Sequence, residues 1–131
     1  MKITAIIPTF NEQERIKNSL KSAQFADEII VVDSFSTDDT ISIVKKSNAI
    51  LLQRKFDDFS NQKNYAIQQA THDWIIWIDA DEVLTSELQK EIRDAVNNPH
   101  QNVGFYIRRV FFFKGKKMRF TGTQNDNLIR L

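Results

Sequence analysis

Two carboxylates, Asp79 and Asp81, stand two positions apart after the apolar run Trp74-Ile75-Ile76-Trp77-Ile78, with Glu82 beside them. Such a run is too short for a long helix and reads as a buried strand. In an extended chain, alternate residues point the same way at roughly 6.5 Å spacing. Asp79 and Asp81 are therefore expected to face a common point, with Ala80 turned away. Two hard oxygen ligands meeting at one spot suit Mg²⁺ or Mn²⁺ bridging to a diphosphate. The plainer alternative is that one aspartate caps the next helix and the other is solvated.

Two more polar clusters follow apolar runs. Thr9, Phe10, Asn11 and Glu12 come after residues 3–7 and Pro8, and residues 33–36 come after Ile29-Ile30-Val31-Val32. Each also has a plainer reading. Asn11 with Glu14 forms a capping-box pattern that starts a helix near Glu12. Asp33 suits a turn, and Ser36 or Thr37 suits a helix N-cap.

The elements that must position these clusters alternate along the chain. Residues 3–7 are a strand, and Ile16, Leu20 and Ala23 line a first helix. Residues 29–32 are a second strand, followed by a helix carrying Ile41 and Val44. Ile50-Leu51-Leu52 is a third. A helix over 59–70 turns Ala66, Ile67 and Ala70 inward before the Trp74 strand. Ser86 with Gln89 forms another capping box, Leu88, Ile92 and Val96 share a helical face, and Asn98-Pro99 ends that helix. Alternating strands and helices predict the α/β class: a mostly parallel, Rossmann-like sheet flanked by helices on both faces, in one domain over residues 1–131. Ligands of such sheets bind outside the carboxyl ends of the strands. All three polar clusters fall on that edge, which favours the ligand reading over three separate accidents.

Composition excludes several classes. The chain has 131 residues, 41% hydrophobic and 27% charged, which is globular rather than disordered. It has no cysteine, so thiol nucleophiles and thiolate metal sites are ruled out. Its three glycines, Gly104, Gly115 and Gly122, all lie in the last third, so neither a dinucleotide fingerprint nor a P-loop exists in the first strand-to-helix turn. A net charge of +1 nominates no nucleic-acid partner. The first apolar run is too short for a signal-peptide core and no later one reaches membrane-span length, so a cytoplasmic setting is expected, with the inner membrane face as a candidate location. Oligomeric state is not legible.

The last third differs in character. Residues 103–113 are rich in aromatic and β-branched side chains, and Lys114-Gly115 suits a hairpin turn leading into residues 118–121. Arg108, Arg109, Lys114, Lys116, Lys117 and Arg119 have no acidic companion between 108 and 120. Such a ribbon could meet phosphates or an anionic membrane surface. It could equally be an edge hairpin whose lysines block unwanted pairing.

Taken together, Ile6-Ile7-Pro8-Thr9-Phe10-Asn11-Glu12, then residues 30–40 around Asp33-Ser34-Phe35-Ser36-Thr37-Asp38, then Ile78-Asp79-Ala80-Asp81-Glu82, resemble the family 2 glycosyltransferases. These are inverting enzymes of the glycosyltransferase A fold. Residues 56–67, from Phe56-Asp57-Asp58-Phe59 to Lys63-Asn64-Tyr65, look like the branch with lipopolysaccharide-core glucosyltransferases. The resemblance implies transfer of a sugar from a nucleotide-sugar donor, a UDP-sugar, to a hydroxyl on a glycan or glycolipid acceptor in cell-surface polysaccharide synthesis. Pro8, Thr9, Asn11 and Glu12 match the loop holding base and ribose, and Asp33, with Ser34 beside it, matches the acceptor of a uracil hydrogen bond. Lys63 and Asn64 match a segment near the phosphates. Asp79 matches a residue near ribose and metal, and Asp81 the main ligand of the Mg²⁺ or Mn²⁺ ion. Family members run well beyond this length, and their general base, a carboxylate, is expected beyond Leu131. A piece that binds donor without transferring sugar is thus one expectation. The alternatives are a non-catalytic binding or assembly module, or a sugar-phosphate nucleotidyltransferase, which usually has a glycine-rich first turn where this chain has Pro8-Thr9-Phe10-Asn11-Glu12.

Overall fold

In the computed structural model, residues 1–99, 102–110, 112–113, 116–117 and 127–129 are described. Four strands form one parallel sheet: β1 (Ile3–Thr9), β2 (Glu28–Asp33), β3 (Ile50–Gln53) and β4 (Trp74–Trp77), in the order β3-β2-β1-β4. The helices between and after them are α1 (Ile16–Ala23), α2 (Thr40–Lys45), α3 (Phe59–Gln69) and α4 (Ser86–Asn97). This is the expected α/β architecture.

The strands are continuously apolar because both faces of the sheet are covered. Along β1, Ile3, Ala5 and Ile7 point into one cluster with Ile16, Leu20 and Ala23 of α1, Val44 of α2, and Ile92 and Val96 of α4. Ile6 points the other way, meeting Ile30, Val32 and Ala66 of α3. Three helices thus cover one face and α3 covers the other. Fully burying each of these large aliphatic side chains contributes about 1.5–3 kcal/mol.

Parallel pairing brings the carboxyl ends into line. Thr9 pairs with Asp33, Asp33 with Gln53, and Ile6 with Trp77. Everything that follows β1, β2 and β4 emerges at one edge.

Several local expectations are corrected. Asn11 does not cap α1: the helix starts at Ile16, and its N-cap, Arg15, makes no side-chain cap. Asn11 sits instead in the left-handed region at φ 51°, and its Oδ1 accepts the Thr37 N–H at 2.8 Å, bridging two loops. Ser36 and Thr37 do not cap α2, which starts at Thr40. Ser36 is drawn down to Asp33, and Asp38 Oδ1 accepts the Thr40 N–H at 3.0 Å. The cap of α4 is Thr85 rather than Ser86. Thr85 has the extended backbone a cap needs, and its hydroxyl accepts the Leu88 N–H at 3.2 Å. Gln89 bonds the Leu84 carbonyl. On α3, Ala66 is buried as expected, but Ile67 is exposed, because the buried face runs through Gln62 and Ala66, four residues apart, and the next residue lies about 100° round the helix.

The last third contributes β5 (Tyr106–Arg108) paired antiparallel with β8 (Asn127–Ile129), and β6 (Phe112–Phe113) paired antiparallel with β7 (Lys116–Lys117). The expected hairpin is present with its return arm at Lys116–Lys117; residues 118–121, where that arm was expected, lie outside the described residues. Phe105 packs on Trp74 with ring centroids 5.6 Å apart, which ties this region to the sheet. Among the described residues no helix is long and apolar enough to cross a membrane.

Candidate functional site

A cavity of about 830 Å³ opens at the carboxyl edge of the sheet, within the range of small-molecule and cofactor sites. Its floor comes from the end of β1 and the loop after it: Pro8, Thr9, Phe10 and Glu12. Ser34, directly after β2, forms one side. Lys55 and Phe56, with Phe59, Gln62 and Lys63 of α3, form the next. The opposite wall is Trp77, Asp79, Ala80 and Asp81, and Arg109 closes the rim. Seven residues singled out from sequence therefore meet there: Pro8, Thr9, Glu12, Ser34, Lys63, Asp79 and Asp81.

The acidic corner is a turn, not an extended strand end. Ile78 N–H still bonds the Ile6 carbonyl at 3.0 Å, after which the chain folds over. The Glu82 N–H donates to the Asp79 carbonyl at 2.9 Å, and the Asp79 N–H donates to Glu82 Oε2 at 3.0 Å. Glu82 thus closes the loop that carries both aspartates. Arg109 Nη1 lies 3.6 Å from Glu82 Oε1, so the basic segment reaches the corner through this side chain. Arg15 Nη1 lies 3.5 Å from Glu12 Oε2 and 4.0 Å from Asp81 Oδ2. Ala80 turns away into the core beside α1, at 6% exposure. Among the described residues, no three His, Asp or Glu side chains come close enough together to hold a metal ion by themselves.

Three of the expected residues stand off the cavity wall. Asp33 is fully buried. Its oxygens accept the Ser36 N–H at 2.9 Å, the Ser36 hydroxyl at 2.5 Å and Gln53 Nε2 at 3.4 Å. The Ser36 oxygen in turn accepts the Asn11 N–H at 2.8 Å. Asn11 and Asp33 therefore weld the β1 and β2 loops together behind the cavity. Asn64 is exposed on α3, next to Lys63. Two non-glycine residues with positive φ, Asn11 and Phe35 (62°), flank this weld, and such backbone persists only where surrounding bonds enforce it.

Sequence reasoning missed the aromatic and amide part of the wall. Phe56 and Phe59 meet edge-on at 5.0 Å, and Lys63 Nζ lies 5.2 Å from the Trp77 ring centroid. Phe59 and Gln62 were findable from Lys63, since i, i+3 and i+4 share a helix face. Arg54 anchors the loop before α3 through a two-pronged bond to Asp57 at 2.7 and 2.8 Å. That guanidinium holds the Asp57 carboxyl well below the usual carboxylate range.

An open parallel α/β sheet, with a donor-sized cavity and an acidic turn at its carboxyl edge, is the arrangement of the glycosyltransferase A fold. The glycosyl transferase family 2 model matches residues 4–128, and the chain belongs to that family. An uncharacterized glycosyltransferase of Rickettsia typhi is 37% identical over 133 residues, covering 99% of this chain and 46% of the relative. The glycosyltransferase SunS of the Bacillus subtilis SPbeta prophage is 42% identical over 94 residues, covering 69% of this chain and 22% of its own. The chain thus spans less than half the length of these relatives. Among solved structures, residues 1–349 of S. aureus TarS superpose with a TM-score of 0.66 at 28% identity, over 76% of this chain and 33% of that one. Its complex with UDP-GlcNAc gives 0.69 at 24% identity, over 92% and 37%. Glucosyl-3-phosphoglycerate synthase from Mycobacterium tuberculosis, crystallised with Mn²⁺, UDP and phosphoglyceric acid, gives 0.63 at 21% identity, over 80% and 41%.

Proposed function

We propose that this chain binds the donor of a sugar-transfer reaction, a UDP-sugar, and that the whole protein transfers the sugar with inversion to a hydroxyl of a glycan or glycolipid. The setting proposed is cell-surface polysaccharide or lipopolysaccharide synthesis at the cytoplasmic membrane face. The observation that carries this is the cavity itself, which gathers Thr9, Ser34 and Lys63 with Asp79 and Asp81 at one sheet edge. Support also comes from TarS, solved with UDP-GlcNAc, and from the synthase solved with Mn²⁺ and UDP.

The layout supports the following residue roles. Pro8, Thr9 and Ser34 border the base and ribose, with Asn11 and Asp33 bracing that wall from behind. Lys63, braced on Trp77, supplies a positive charge for the diphosphate, and Asn64 follows it on the helix. Asp79 and Asp81 would hold the divalent ion. The donor set fits: both are hard oxygen ligands on one wall, and Mg²⁺ typically takes one or two carboxylates, keeps several waters and completes its shell with substrate phosphate. When bound, such an ion offsets charge that builds on the departing nucleoside diphosphate. No side chain of this chain is assigned as the base for the attacking hydroxyl.

Calorimetric titration with UDP, with and without Mn²⁺, tests the reading. Metal-enhanced binding is expected, and Asp81→Ala should abolish the enhancement while the thermal transition stays put. Failure to bind UDP under either condition rejects the proposal, and unchanged metal dependence in Asp81→Ala rejects Asp81 as the ligand.

A further inference from the structure

In an extended chain, successive side chains point to opposite sides. From Tyr106 onward the chain uses its two sides very differently. Ile107 packs against the main core cluster, and Arg109 lines the cavity, 3.6 Å from Glu82. Their neighbours face solvent: Tyr106 is 67% exposed, Arg108 is exposed, and Val110 is 48% exposed. Phe112, two positions further on, is 66% exposed. One side of this segment is thus committed to the protein, and the other offers Tyr, Arg, Val and Phe to a partner.

Charge is sorted in the same way. Six of the eighteen basic residues fall between 108 and 120, where there is no acidic residue. The rest of the chain holds twelve basic residues against seventeen acidic ones, so an anionic partner is attracted by this segment and repelled elsewhere. In the pairing of β6 with β7, Lys117 stands opposite Phe112 and Lys116 opposite Phe113. Basic and aromatic residues are therefore interleaved within one hairpin.

An edge guarded against unwanted pairing needs the lysines alone and leaves exposed Tyr106, Val110 and Phe112 unexplained. A nucleic acid would use the basic and aromatic residues but not aliphatic Val110. Basic groups flanking apolar and aromatic ones match the layers of an anionic bilayer, with phosphate outside and hydrocarbon beneath.

We propose that Tyr106, Arg108, Val110 and Phe112, with the β6–β7 pair, form a docking surface for an anionic lipid bilayer. The basic residues meet the lipid phosphates, and Val110 and Phe112 enter the layer below them. Arg109, on the other side of the same segment, rims the cavity, so docking holds the cavity mouth beside the lipid surface. The inference rests on the membrane setting proposed above and adds the surface and the lipid charge it needs.

Co-sedimentation with phosphatidylcholine vesicles, with and without phosphatidylglycerol, tests this on the chain itself. Binding is expected only with the anionic lipid and should collapse as salt rises from about 0.05 M to about 0.5 M. Each basic residue near such a surface multiplies partitioning about fivefold, so Lys116→Gln combined with Lys117→Gln should weaken it about tenfold or more. The chain has no cysteine, so Phe112→Cys takes an environment-sensitive fluorophore at a single place. Its emission should shift to the blue on anionic vesicles. The same label at Lys45→Cys, on α2 leading into the far edge strand β3, should not shift. Equal binding to neutral vesicles, or an unmoved label at position 112, overturns the proposal. So does binding to a single-stranded oligonucleotide without binding to vesicles, or a dimer that shields the position 112 label before lipid is added. UDP binding without vesicle binding rejects the docking surface and leaves the donor reading intact, and vesicle binding without UDP binding does the reverse.

Discussion

Asp33→Asn separates a brace from a ligand contact. Asp33 is fully buried and accepts three hydrogens, two from Ser36 and one from Gln53. Asparagine has the same shape but one acceptor oxygen, which can keep the Ser36 N–H and Gln53 bonds only if its NH₂ faces the Ser36 hydroxyl. That hydroxyl must then turn its hydrogen away, and its short bond to the carboxylate is lost together with the charge that strengthens the other two. A hydrogen bond to a charged group is worth about 1.5–3 kcal/mol, so a cost of about 2–3 kcal/mol is expected. For a domain of this length, that lowers Tm by roughly 6–15 °C. Denaturant unfolding of Asp33→Asn, Ser36→Ala and the double variant gives the coupling directly. The double variant should cost less than the two singles added, by about 1 kcal/mol or more. UDP affinity should fall with the loosened loop. A Tm within 2 °C of wild type, with additive single costs, refutes the brace and returns Asp33 to a direct role at the ligand.

Three further outcomes are expected. Asn11→Gly keeps the left-handed backbone and loses only the bond to Thr37, whereas Asn11→Ala also meets the left-handed penalty, so alanine should be the less stable variant by about 1 kcal/mol in chemical denaturation. Thr85→Ala removes the α4 cap and should cost about 1 kcal/mol, with Ser at the same position restoring it. The Asp27 carboxyl is held below its usual range by the Arg93 side chain and the Ile3 N–H. A depressed folded-state value means the unfolded chain binds protons more readily, so this stability is present at neutral pH and is lost as pH falls through about 4 toward the lower folded value. Thermal melts from pH 6 to pH 3 should therefore fall less steeply for Asp27→Asn than for wild type.

The sheet was legible because its information is local. Ile6-Ile7-Pro8 and Ile30-Val31-Val32-Asp33 are apolar runs cut off by polar residues, and alternation with helices leaves parallel pairing as the simple outcome. Parallel pairing then forces the segments after β1, β2 and β4 onto one edge. Residue order by itself thus determined that Thr9, Glu12, Ser34, Asp79 and Asp81 would share a region. The family motifs were readable for the same reason, being short, polar and in register.

What each of those side chains does there was decided only in three dimensions. Asp33, Ser36 and Asn11 carry the right residue types for caps, turns or ligands, and the choice among these depends on which donors stand opposite. Partners 25 or 26 residues away, such as Ser36 and Thr37 for Asn11, are invisible to a local pattern. Gln62 looked like an ordinary polar helix position. Its amide takes one orientation only because Arg54, a pure donor, stands on one side of it and the Ser34 oxygen on the other, and neither partner is its neighbour in sequence.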